Sequence, residues 1–429
     1  MTQIRIPNHW YLVPLSKISR IKGGFAFKSN EYQNQGIPIV RISNVKVNGL
    51  DWSNTVYWTK DLPESLKKYL LKPQDILISM TGEVGVTAQV HSSDIPSLLN
   101  QRVGCFVIND NSSVDPDFLF YVTQSIDFIN DIRAAAFGAI QLNISADRIE
   151  KVHIPLPPFD EQISISHILK ASRAVIQTRR DELELERERK TALMEYLFTY
   201  GIGGISVPTK ETRFGSVPQT WKIMPLENCA FVQTGIAKGR KLVGNNVLNL
   251  PYLRVANVQD GYLDLSEIKY IELRESEVER YKLQSGDVVV TEGGDFDKLG
   301  RGFLWKGQIP NCVHQNHIFA VRVNRNILIP EYFAYLIQSK YGKAYFLSVA
   351  HRTTNLASIN STKLKAFPTL VPSLTEQMDI VNFIGACDAK IATLEQELVL
   401  LEELFHALLE ELMSGQLSTL PLIQTEQAS

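Results

Sequence analysis

Two long stretches of the chain have apolar residues at every seventh position. The first runs from Glu161 to Phe198 and the second from Glu376 to Met413. Thirteen apolar residues form the two seams: Leu169, Ile176, Leu183, Leu193, Leu197, Ile384, Ile391, Leu394, Leu398, Leu401, Phe405, Leu408 and Leu412. A seven-residue period places these side chains on one face of an α-helix, as in coiled coils. The pattern therefore predicts two long helices.

The second helix is a copy of the first, because corresponding seam residues such as Leu169 and Ile384 lie 215 positions apart. The first copy has charged residues, Arg179, Glu186 and Lys190, at three seam positions where the second copy is apolar. A charged seam needs a matching partner surface. We interpret the two helices, each about 55 Å long, as mates in an antiparallel coiled coil. The alternative assigns each helix to a separate bundle.

The duplication extends upstream of the helices. Aligned residues of the two halves are Trp10 with Trp221, Gly24 with Gly235, Arg41 with Arg254, Asp75 with Asp287, Gln101 with Gln315, and Pro116 with Pro330. Each half is therefore a globular domain followed by a long helix. The predicted bounds are 1–158 for the first globular domain, 159–200 for the first helix, 201–220 for a linker, 221–373 for the second globular domain, 374–415 for the second helix and 416–429 for a frayed tail.

Within each globular half, short segments rich in Val and Ile predict buried strands. They are IPIVRISNV, DILISM, VGCFVI and VHIPL in the first half, and PYLRVANV, DVVVTEG, HIFAVRV and FPTLVP in the second. Two further segments, which begin at Pro116 and Pro330, each predict a helix with proline in the first turn. The predicted fold class is α/β (mixed), with two tandem globular domains, each followed by a long helix of the antiparallel coiled coil.

The amino-acid composition is typical of a globular protein. It has 429 residues, of which 44% are hydrophobic and 21% charged. No apolar run is long enough for a membrane span, and the start MTQIRIPNHW has no secretory signal, so we expect a cytoplasmic protein without a membrane partner. The four cysteines form no CxxC pair, which fits reduced thiols.

The net charge of −2 conceals an uneven distribution. Residues 376–411 hold nine acids and one base, and without them the totals of 44 basic and 46 acidic residues fall to 43 and 37. Residues 1–30 contain basic side chains and no acid, and so do residues 332–375. Local basic surfaces of this kind are typical of proteins that bind phosphate backbones.

Enzymatic motifs are missing from the sequence. It contains neither a GxxxxGK[ST] phosphate loop nor a GxGxxG motif that opens a helix. Cys312, His314 and His317 are close in sequence, but alternate strand residues point to opposite faces, so we expect the two histidines to diverge rather than to bind a metal. Asp75 and Asp287 precede strands, where a turn role is expected.

Several loops of the sequence combine basic side chains with amide and hydroxyl side chains. Arg, Lys, Asn and Gln match the edges of guanine and adenine in the major groove, and Ser, Thr and Lys can hold phosphates. The predicted DNA-binding residues are Lys22, Lys28, Arg41, Ser79, Thr81, Asn100, Gln101, Arg102, Gln141, Asn143, Lys238, Arg240, Lys241, Arg254, Thr291, Lys298, Arg301, Gln315, Asn316, His317, Arg352, Thr354 and Asn355. The loops differ between the halves, which suggests one scaffold that reads two different targets.

The order of motifs resembles the specificity subunit of type I restriction-modification systems. The shared motifs are PLPP-x-x-EQ-x-x-I at the start of the first helix, and IP-x-x-R-x-x-NV followed by DILIS-x-TG in the first domain. The second copy departs from them, with LVPSLTEQ and DVVVTEGG at the matching places. The resemblance covers nearly the whole chain and depends on the doubled order of motifs, since each motif alone is weak.

The resemblance implies a DNA-specificity subunit without catalysis of its own. Each globular half would be a target recognition domain that contacts one part of a bipartite site on double-stranded DNA, and the helices would be spacers that also dock partners. Those partners would be two methyltransferase subunits and the restriction subunits, which would hold S-adenosylmethionine, ATP and Mg, with no cofactor in this chain. The alternatives are a self-contained DNA-modifying enzyme and a structural coiled-coil scaffold.

Overall fold

The protein is described by a computed structural model that covers residues 6–47, 49–59, 61–109, 114–138, 142–239, 246–294, 299–352, 357–421 and 423. These residues fall into two compact units. Unit 1 comprises residues 1–180 and 396–429, and unit 2 comprises residues 181–395. Each unit therefore contains one globular domain, one half of the first long helix and one half of the second.

Two of the α-helices in the described residues are much longer than the rest. The helices are α1 Glu64–Lys67, α2 Pro116–Val122, α3 Ile126–Ala135, α4 Ala146–Glu150, α5 Phe159–Tyr200, α6 Glu275–Tyr281, α7 Pro330–Gln338, α8 Lys340–Val349, α9 Ser361–Lys365 and α10 Leu374–Met413. The long helices α5 and α10 begin and end within two residues of the predicted bounds. Among the described residues, no helix combines the length and apolar character that crossing a membrane requires.

The strands of unit 1 are β1 Tyr11–Pro14, β2 Ser19–Gly23, β3 Ile37–Val40, β4 Val45–Lys46, β5 Gly49–Leu50, β6 Val56–Trp58, β7 Ile76–Ser79, β8 Thr87–Gln89, β9 Leu98–Leu99, β10 Val103–Ile108 and β11 His153–Leu156. Those of unit 2 are β12 Thr209–Thr212, β13 Gly215–Pro218, β14 Lys222–Pro225, β15 Ala230–Thr234, β16 Val247–Leu253, β17 Lys269–Arg274, β18 Val288–Thr291, β19 Gly293–Gly294, β20 Gly302–Leu304, β21 Val313–His314, β22 Ile318–Val323, β23 His351–Arg352, β24 Ala357–Ser358 and β25 Pro368–Val371. Every predicted strand is among them.

Both units contain the same main sheet. Its strand order is β2-β10-β7-β8 in unit 1 and β15-β22-β18-β20 in unit 2, and neighbouring strands are antiparallel. All four residues of β7 and of β18 are buried. A strand covered on both faces needs a continuous apolar run, which ILIS and VVVT supply. The mixed α/β prediction is confirmed.

The helix predicted after each proline is in fact a pair of helices. Proline stands in the first turn as predicted, but Ser125 separates α2 from α3, and Ser339 separates α7 from α8. Each serine hydroxyl accepts a hydrogen bond from the backbone of the following helix, at Phe128 and Gly342. Serine is a strong N-cap because its side chain satisfies an otherwise unpaired N–H group.

The Glu-Gln pair at the start of each long helix fastens the helix to its domain. Gln162 donates to the Pro157 carbonyl at 2.9 Å and accepts from the Asp115 backbone at 2.9 Å. Gln377 repeats these bonds, donating to Pro372 at 3.0 Å and accepting from Ile329 at 2.8 Å. Both amides are buried. The repeated EQ motif thus has a structural cause.

Parts of α5 and α10 lie side by side and antiparallel within each unit. In unit 1, Arg180 of α5 donates to Glu402 of α10 at 2.6 Å. In unit 2, Arg187 donates to Glu395 at 2.8 Å. Lys190, farther along α5, pairs with Asp388, which comes earlier in α10, at 2.6 Å. Partner numbers fall on α10 as they rise on α5, as antiparallel helices require.

The structure buries most of the predicted seam. The buried members are Leu169, Ile176, Leu183, Leu197, Ile384, Leu394, Leu398, Phe405 and Leu412, and the half-buried members are Leu193, Ile391, Leu401 and Leu408. Beside two of the half-buried residues, Met194 and Leu409 are buried instead. An α-helix of 3.6 residues per turn drifts against a strict seven-residue repeat, which explains this shift by one position. The coiled coil as such stays a prediction.

The linker and the tail contain more structure than the sequence predicted. Residues 209–218 form a hairpin of β12 and β13, whose Val217 is fully buried in the unit 2 core. In unit 1, Gly415 after α10 packs close to Pro7, and Thr419 is buried. The predicted linker 201–220 therefore contains a packed hairpin, although it is rich in Gly, Ser and Pro.

Candidate nucleic-acid interface

In unit 1, several loops converge at one end of the main sheet. Strands β2 and β7 end there and β10 begins there, since Val103 pairs with Ser79 and Gly104 with Gly23. We call the described residues 24–28, 80–86, 100–102, 137–138 and 142–144 loop cluster 1. Its loops are joined by backbone hydrogen bonds, in which Met80 donates to Arg102 at 3.0 Å and Ile144 donates to Met80 at 3.0 Å.

Unit 2 repeats the arrangement at the same end of its sheet. We call the described residues 235–239, 292–294, 299–301, 315–317 and 357–359 loop cluster 2. Here Glu292 donates to the His317 carbonyl at 2.9 Å, and Ile359 donates to the Glu292 carbonyl at 2.7 Å. These are the counterparts of the bonds at Met80 in loop cluster 1.

One glycine in each cluster allows the loops to approach. A methyl group on Gly24 would lie 2.3 Å from the Leu99 carbonyl oxygen, and one on Gly235 would lie 2.1 Å from that of His314. Real Cβ atoms do not come so close to backbone, so only glycine fits. The sequence alignment of these two glycines therefore marks the same close approach twice.

The bonding pattern corrects the predicted alignment of the two halves. Phe25 forms a bridge with Asn100, and its counterpart Ile236 forms one with Gln315. Asn100, rather than Gln101, is therefore the counterpart of Gln315, so the predicted pair was wrong by one residue. It follows that Arg102 corresponds to His317. The letters NQR and HQN share a glutamine, which drew the alignment into the wrong register.

The predicted DNA-binding residues fall into four groups. Exposed are Lys22, Lys28, Gln101, Arg102, Lys238 and His317. Half-buried are Arg41, Thr81, Asn143, Arg254, Arg301, Gln315 and Asn316. Buried are Ser79, Asn100 and Thr291. Outside the described residues lie Gln141, Arg240, Lys241, Lys298, Thr354 and Asn355, and for Arg352 only the backbone, in β23, is described.

Burial removes Ser79, Thr291 and Asn100 from the candidate contacts. The side chains of Ser79 and Thr291 are 2% and 0% exposed. Ser79 donates to the Glu83 carbonyl and accepts from the Val86 backbone, so its only hydroxyl hydrogen and one lone pair are already engaged. Asn100 accepts from the backbone of Arg102. These predictions are corrected, because the polar side chains hold the loops rather than a ligand.

Arg41 and Arg254 also have a bracing role in the fold. Arg41 donates to the Asn54 carbonyl at 2.6 Å, and Arg254 makes the matching bond to Glu267 at 3.3 Å and a further ion pair with its carboxylate at 3.0 Å. The side chain of the buried Asn44 accepts a hydrogen bond from the Arg41 backbone N–H at 3.0 Å. The R-x-x-NV motif that both halves share therefore has a structural cause.

Two basic residues of the acid-free stretch 332–375 form ion pairs with acidic side chains. Lys340 pairs with Glu195 at 2.6 Å and Lys343 pairs with Asp260 at 2.8 Å, all within unit 2. In loop cluster 1, by contrast, the Arg102 guanidinium is exposed and has no partner among the described residues. Arg102 therefore offers a positive charge to a ligand, whereas Lys340 and Lys343 have acidic partners.

The histidines near Cys312 do not form a metal site in the described structure. His314 is buried in β21, whereas His317 lies exposed in the turn between β21 and β22, so the two do not share one strand as the prediction assumed. Burial lowers the pKa of His314 to about 4, although its hydrogen bond to the Tyr281 carbonyl acts in the opposite direction. Within the described ranges, no three His, Cys, Asp or Glu side chains are placed to hold a metal ion.

Comparison with known proteins identifies the two globular halves. The sequence profile described as type I restriction modification DNA specificity domain matches residues 7–186 and again residues 218–403. The chain belongs to this family. Each unit therefore contains most of one DNA specificity domain, and loop clusters 1 and 2 are equivalent parts of the two domains.

Relatives match along nearly the full chain. The type I restriction enzyme EcoKI specificity subunit of Escherichia coli (strain K12) is 24% identical over 430 residues, which cover 97% of this chain and 91% of that protein. The StySPI specificity subunit of Salmonella potsdam is 23% identical, with the same two coverages. A specificity subunit is the DNA-recognition component of its complex and is not catalytic, and its partners are DNA and the modification and restriction subunits.

Solved structures share the fold of the specificity domains. The S subunit of a type I restriction-modification system from M. genitalium has a TM-score of 0.54 and 15% identity, covering 96% of this chain and 98% of that chain. A chain from a structure of type I complex assembly and conformational transition has a TM-score of 0.56 and 15% identity, with coverages of 96% and 99%. At this identity the likeness concerns the fold.

Proposed function

We propose that loop clusters 1 and 2 are the DNA-reading surfaces of the two specificity domains, each for one part of a bipartite site. The observation that supports this most is their equivalence: the same loops, joined by the same backbone bonds, present different side chains in the two units. A shared scaffold fixes where each loop lies. The side chains on it can then differ without disturbing the fold, as two different half-sites require.

The chemistry of the exposed residues fits this role. Lys28, Gln101 and Arg102 in loop cluster 1 and Lys238 in loop cluster 2 are exposed. Lysine contacts phosphates, whereas arginine and glutamine can form two hydrogen bonds to a single purine edge. Phe137, which is 49% exposed with the Arg148 guanidinium over its ring at 4.8 Å, adds an apolar surface to loop cluster 1.

The same duplication supports a proposal for the wider assembly. Because both units repeat the junction between a domain and the long helices, we propose that two methyltransferase subunits bind, one to each repeat, together with the restriction subunits. S-adenosylmethionine, ATP and Mg would be held by those partner subunits. A mass measurement of the assembled methyltransferase complex tests the ratio, for which two methyltransferase subunits per chain are expected and one would contradict the proposal.

DNA binding by the complex tests the surfaces. The variant Lys28→Ala/Gln101→Ala/Arg102→Ala removes three exposed side chains of loop cluster 1. We expect it to weaken binding to a DNA fragment with the recognition site at least tenfold, and to reduce the salt dependence of binding, because each lost phosphate contact lowers the slope by about one.

The matched control is Arg20→Ala with Lys17→Ala, since both side chains are exposed in unit 1 but lie outside loop cluster 1. The control should bind DNA like the parent. Equal effects of both variants, or no effect of the triple variant, would contradict the proposed surface.

A further inference from the structure

We infer that one structurally equivalent pair of residues selects a different base in each half of the site: Met80 with Arg102 in unit 1, and Glu292 with His317 in unit 2. The inference rests on the proposed function of the loop clusters and adds which residues discriminate and which chemical class of base each accepts.

The equivalence of the pairs rests on hydrogen bonds rather than on sequence likeness. Met80 donates to the carbonyl of Arg102, as Glu292 does to that of His317. The carbonyls of Met80 and Glu292 in turn accept from Ile144 and Ile359. Each pair therefore joins the same three loops at the same end of the main sheet.

In unit 1 this place presents a free donor. The Arg102 side chain is exposed, lies directly before β10 and has no hydrogen-bonding or ionic partner in the part of the chain that the structure describes. Its neighbour Met80 is half-buried and has no charge to hold the guanidinium back. A free guanidinium has five donors in a planar fork and no acceptor.

In unit 2 the same place presents acceptors. His317 Nδ1 lies 2.5 Å from a carboxylate oxygen of Glu292, so the ring donates its proton there. Nε2 of the neutral ring accepts from the Asn316 amide nitrogen at 3.3 Å, so within the described structure the second carboxylate oxygen of Glu292 is the acceptor that is open to a ligand. The ring is 54% exposed and the Glu292 side chain 30% exposed, so both can be reached by a ligand.

These chemistries suit different bases. In the major groove guanine offers two acceptors, O6 and N7, which match the fork of Arg102. Adenine and cytosine each offer an exocyclic amine that donates, which matches the carboxylate of Glu292 that His317 holds in place. Guanine opposite Glu292 would place its acceptors against a carboxylate. Arg102 is therefore assigned to guanine, and Glu292 with His317 to a base with an exocyclic amine.

The decisive experiment transplants the unit 1 pair into unit 2. The complex of the methyltransferase subunits with the chain carrying Glu292→Met/His317→Arg methylates genomic DNA, and the methylated sites are read by long-read sequencing. We expect one position of one half-site to change from adenine or cytosine to guanine, while the other half-site is unchanged. An unchanged recognition sequence, or a change in both half-sites, would overturn the inference.

Two conservative variants decide the question even where the transplant fails to fold. Arg102 has no partner to lose in the described structure, so Arg102→Ala and Arg102→Lys should fold like the parent. We expect both to reduce the preference for guanine at one position about tenfold to a hundredfold, because lysine keeps the charge but lacks the fork. If Arg102→Lys keeps the full preference, the base contact is refuted.

The same data separate this inference from the proposed function. A loss of affinity that is equal for all sequences would show that Arg102 contacts a phosphate, so the inference fails while loop cluster 1 remains a DNA surface. If neither Arg102→Ala nor the triple variant of loop cluster 1 alters binding, the cluster does not meet DNA and both statements fall.

Discussion

The two units place opposite charges at equivalent points of their helix contacts. In unit 1, Arg180 on α5 pairs with Glu402 on α10. The counterpart of Arg180, 215 positions later, is Glu395 on α10, which pairs with Arg187 on α5 in unit 2. The cation is on α5 in both units and the acid is on α10. The acidic stretch 376–411 is thus the complement of basic residues on the other helix.

A second point of contact shows the same divergence in a less exposed setting. In unit 1, the Arg173 guanidinium lies over the rings of Tyr121 and Phe405, at 5.6 and 5.3 Å. Burial lowers the pKa of Arg173 there. The counterparts in unit 2 are Tyr335, Asp388 and Lys190. In unit 2 the Tyr335 hydroxyl donates to Asp388 at 2.6 Å. The Lys190 ammonium lies 2.6 Å from the same carboxylate.

The comparison explains why the first helix has a charged seam. Lys190 interrupts the apolar seam of α5, but it forms an ion pair with Asp388 of α10. Its counterpart Phe405 instead places an aromatic ring beneath the Arg173 guanidinium. After duplication, each helix has therefore diverged to fit the other. A copy of α5 opposite α5 would bring Lys190 against Arg173, so like-with-like pairing is disfavoured.

The largest effect is expected from copying one contact without its partner. Phe405→Lys places the unit 2 residue beside Arg173 and removes a buried ring, and we expect it to lower the free energy of unfolding by about 3 to 5 kcal/mol. Denaturant unfolding of the chain measures this. Phe405→Lys/Arg173→Asp completes the unit 2 chemistry and should recover part of the loss. A double variant no more stable than the single one would contradict the exchangeability of the contacts.

The next effect concerns a buried histidine that only unit 2 has. His314 corresponds to Leu99, and both are almost fully buried. Because burial lowers the pKa of His314 from its ordinary value of 6.5 to about 4, the folded state favours the neutral ring. The contribution of the neutral His314 ring to the free energy of unfolding is complete above pH 6.5. As the pH falls towards 4, this contribution is lost, which lowers the free energy of unfolding by about 3 kcal/mol.

Thermal unfolding followed between pH 7 and pH 4 tests this. The matched variant is His314→Leu, which copies the residue of unit 1. It should lose less stability in this pH range than the parent, and identical pH profiles would rule out His314 as the cause.

A smaller effect is expected where a half-buried ion pair is broken. Asp388→Asn leaves the Lys190 ammonium without its counter-charge and weakens the bond from Tyr335, which should lower the free energy of unfolding by about 1 to 3 kcal/mol. Adding Lys190→Met removes the stranded charge and should restore much of the stability. If the single variant is as stable as the parent, the pair does not contribute.

The smallest effect is expected at the pair of Arg180 and Glu402 in unit 1, whose side chains are more exposed than those of Lys190 and Asp388. Arg180→Glu places two acids together with Glu402 and should lower the free energy of unfolding by about 0.5 to 1 kcal/mol at low salt. The charge-exchanged variant Arg180→Glu/Glu402→Arg should return to the parent value. Effects that persist undiminished in 1 M salt would show that packing, not charge, is responsible.

Much of the fold could be predicted because apolar residues follow simple patterns along the chain. The long helices α5 and α10 have a seven-residue apolar repeat, and the buried strands β7 and β18 have a continuous apolar run. The duplication shows each pattern twice. The breaks at Ser125 and Ser339 were missed because one polar residue inside an apolar run gives a weak signal, although a serine N-cap offers one. The hairpin of β12 and β13 was missed because its composition is that of a loop.

The candidate site was less predictable, because a polar residue on a loop can either hold the loop or face a ligand. Ser79 and Arg102 both stand at the ends of strands beside loop cluster 1, yet the first is buried and the second exposed. Arg41 and Arg254 repeat in both halves for a structural reason. Only the hydrogen-bond pattern of the loops distinguishes bracing residues from free ones, and it depends on contacts between segments far apart in sequence.

The most direct test of the two-reader account compares the methylated sequences produced by complexes carrying Arg102→Ala or His317→Ala. The account predicts that each variant relaxes one half-site and leaves the other intact, and that the two variants relax different half-sites. Relaxation of the same half-site by both variants, or of both half-sites by either one, would contradict it.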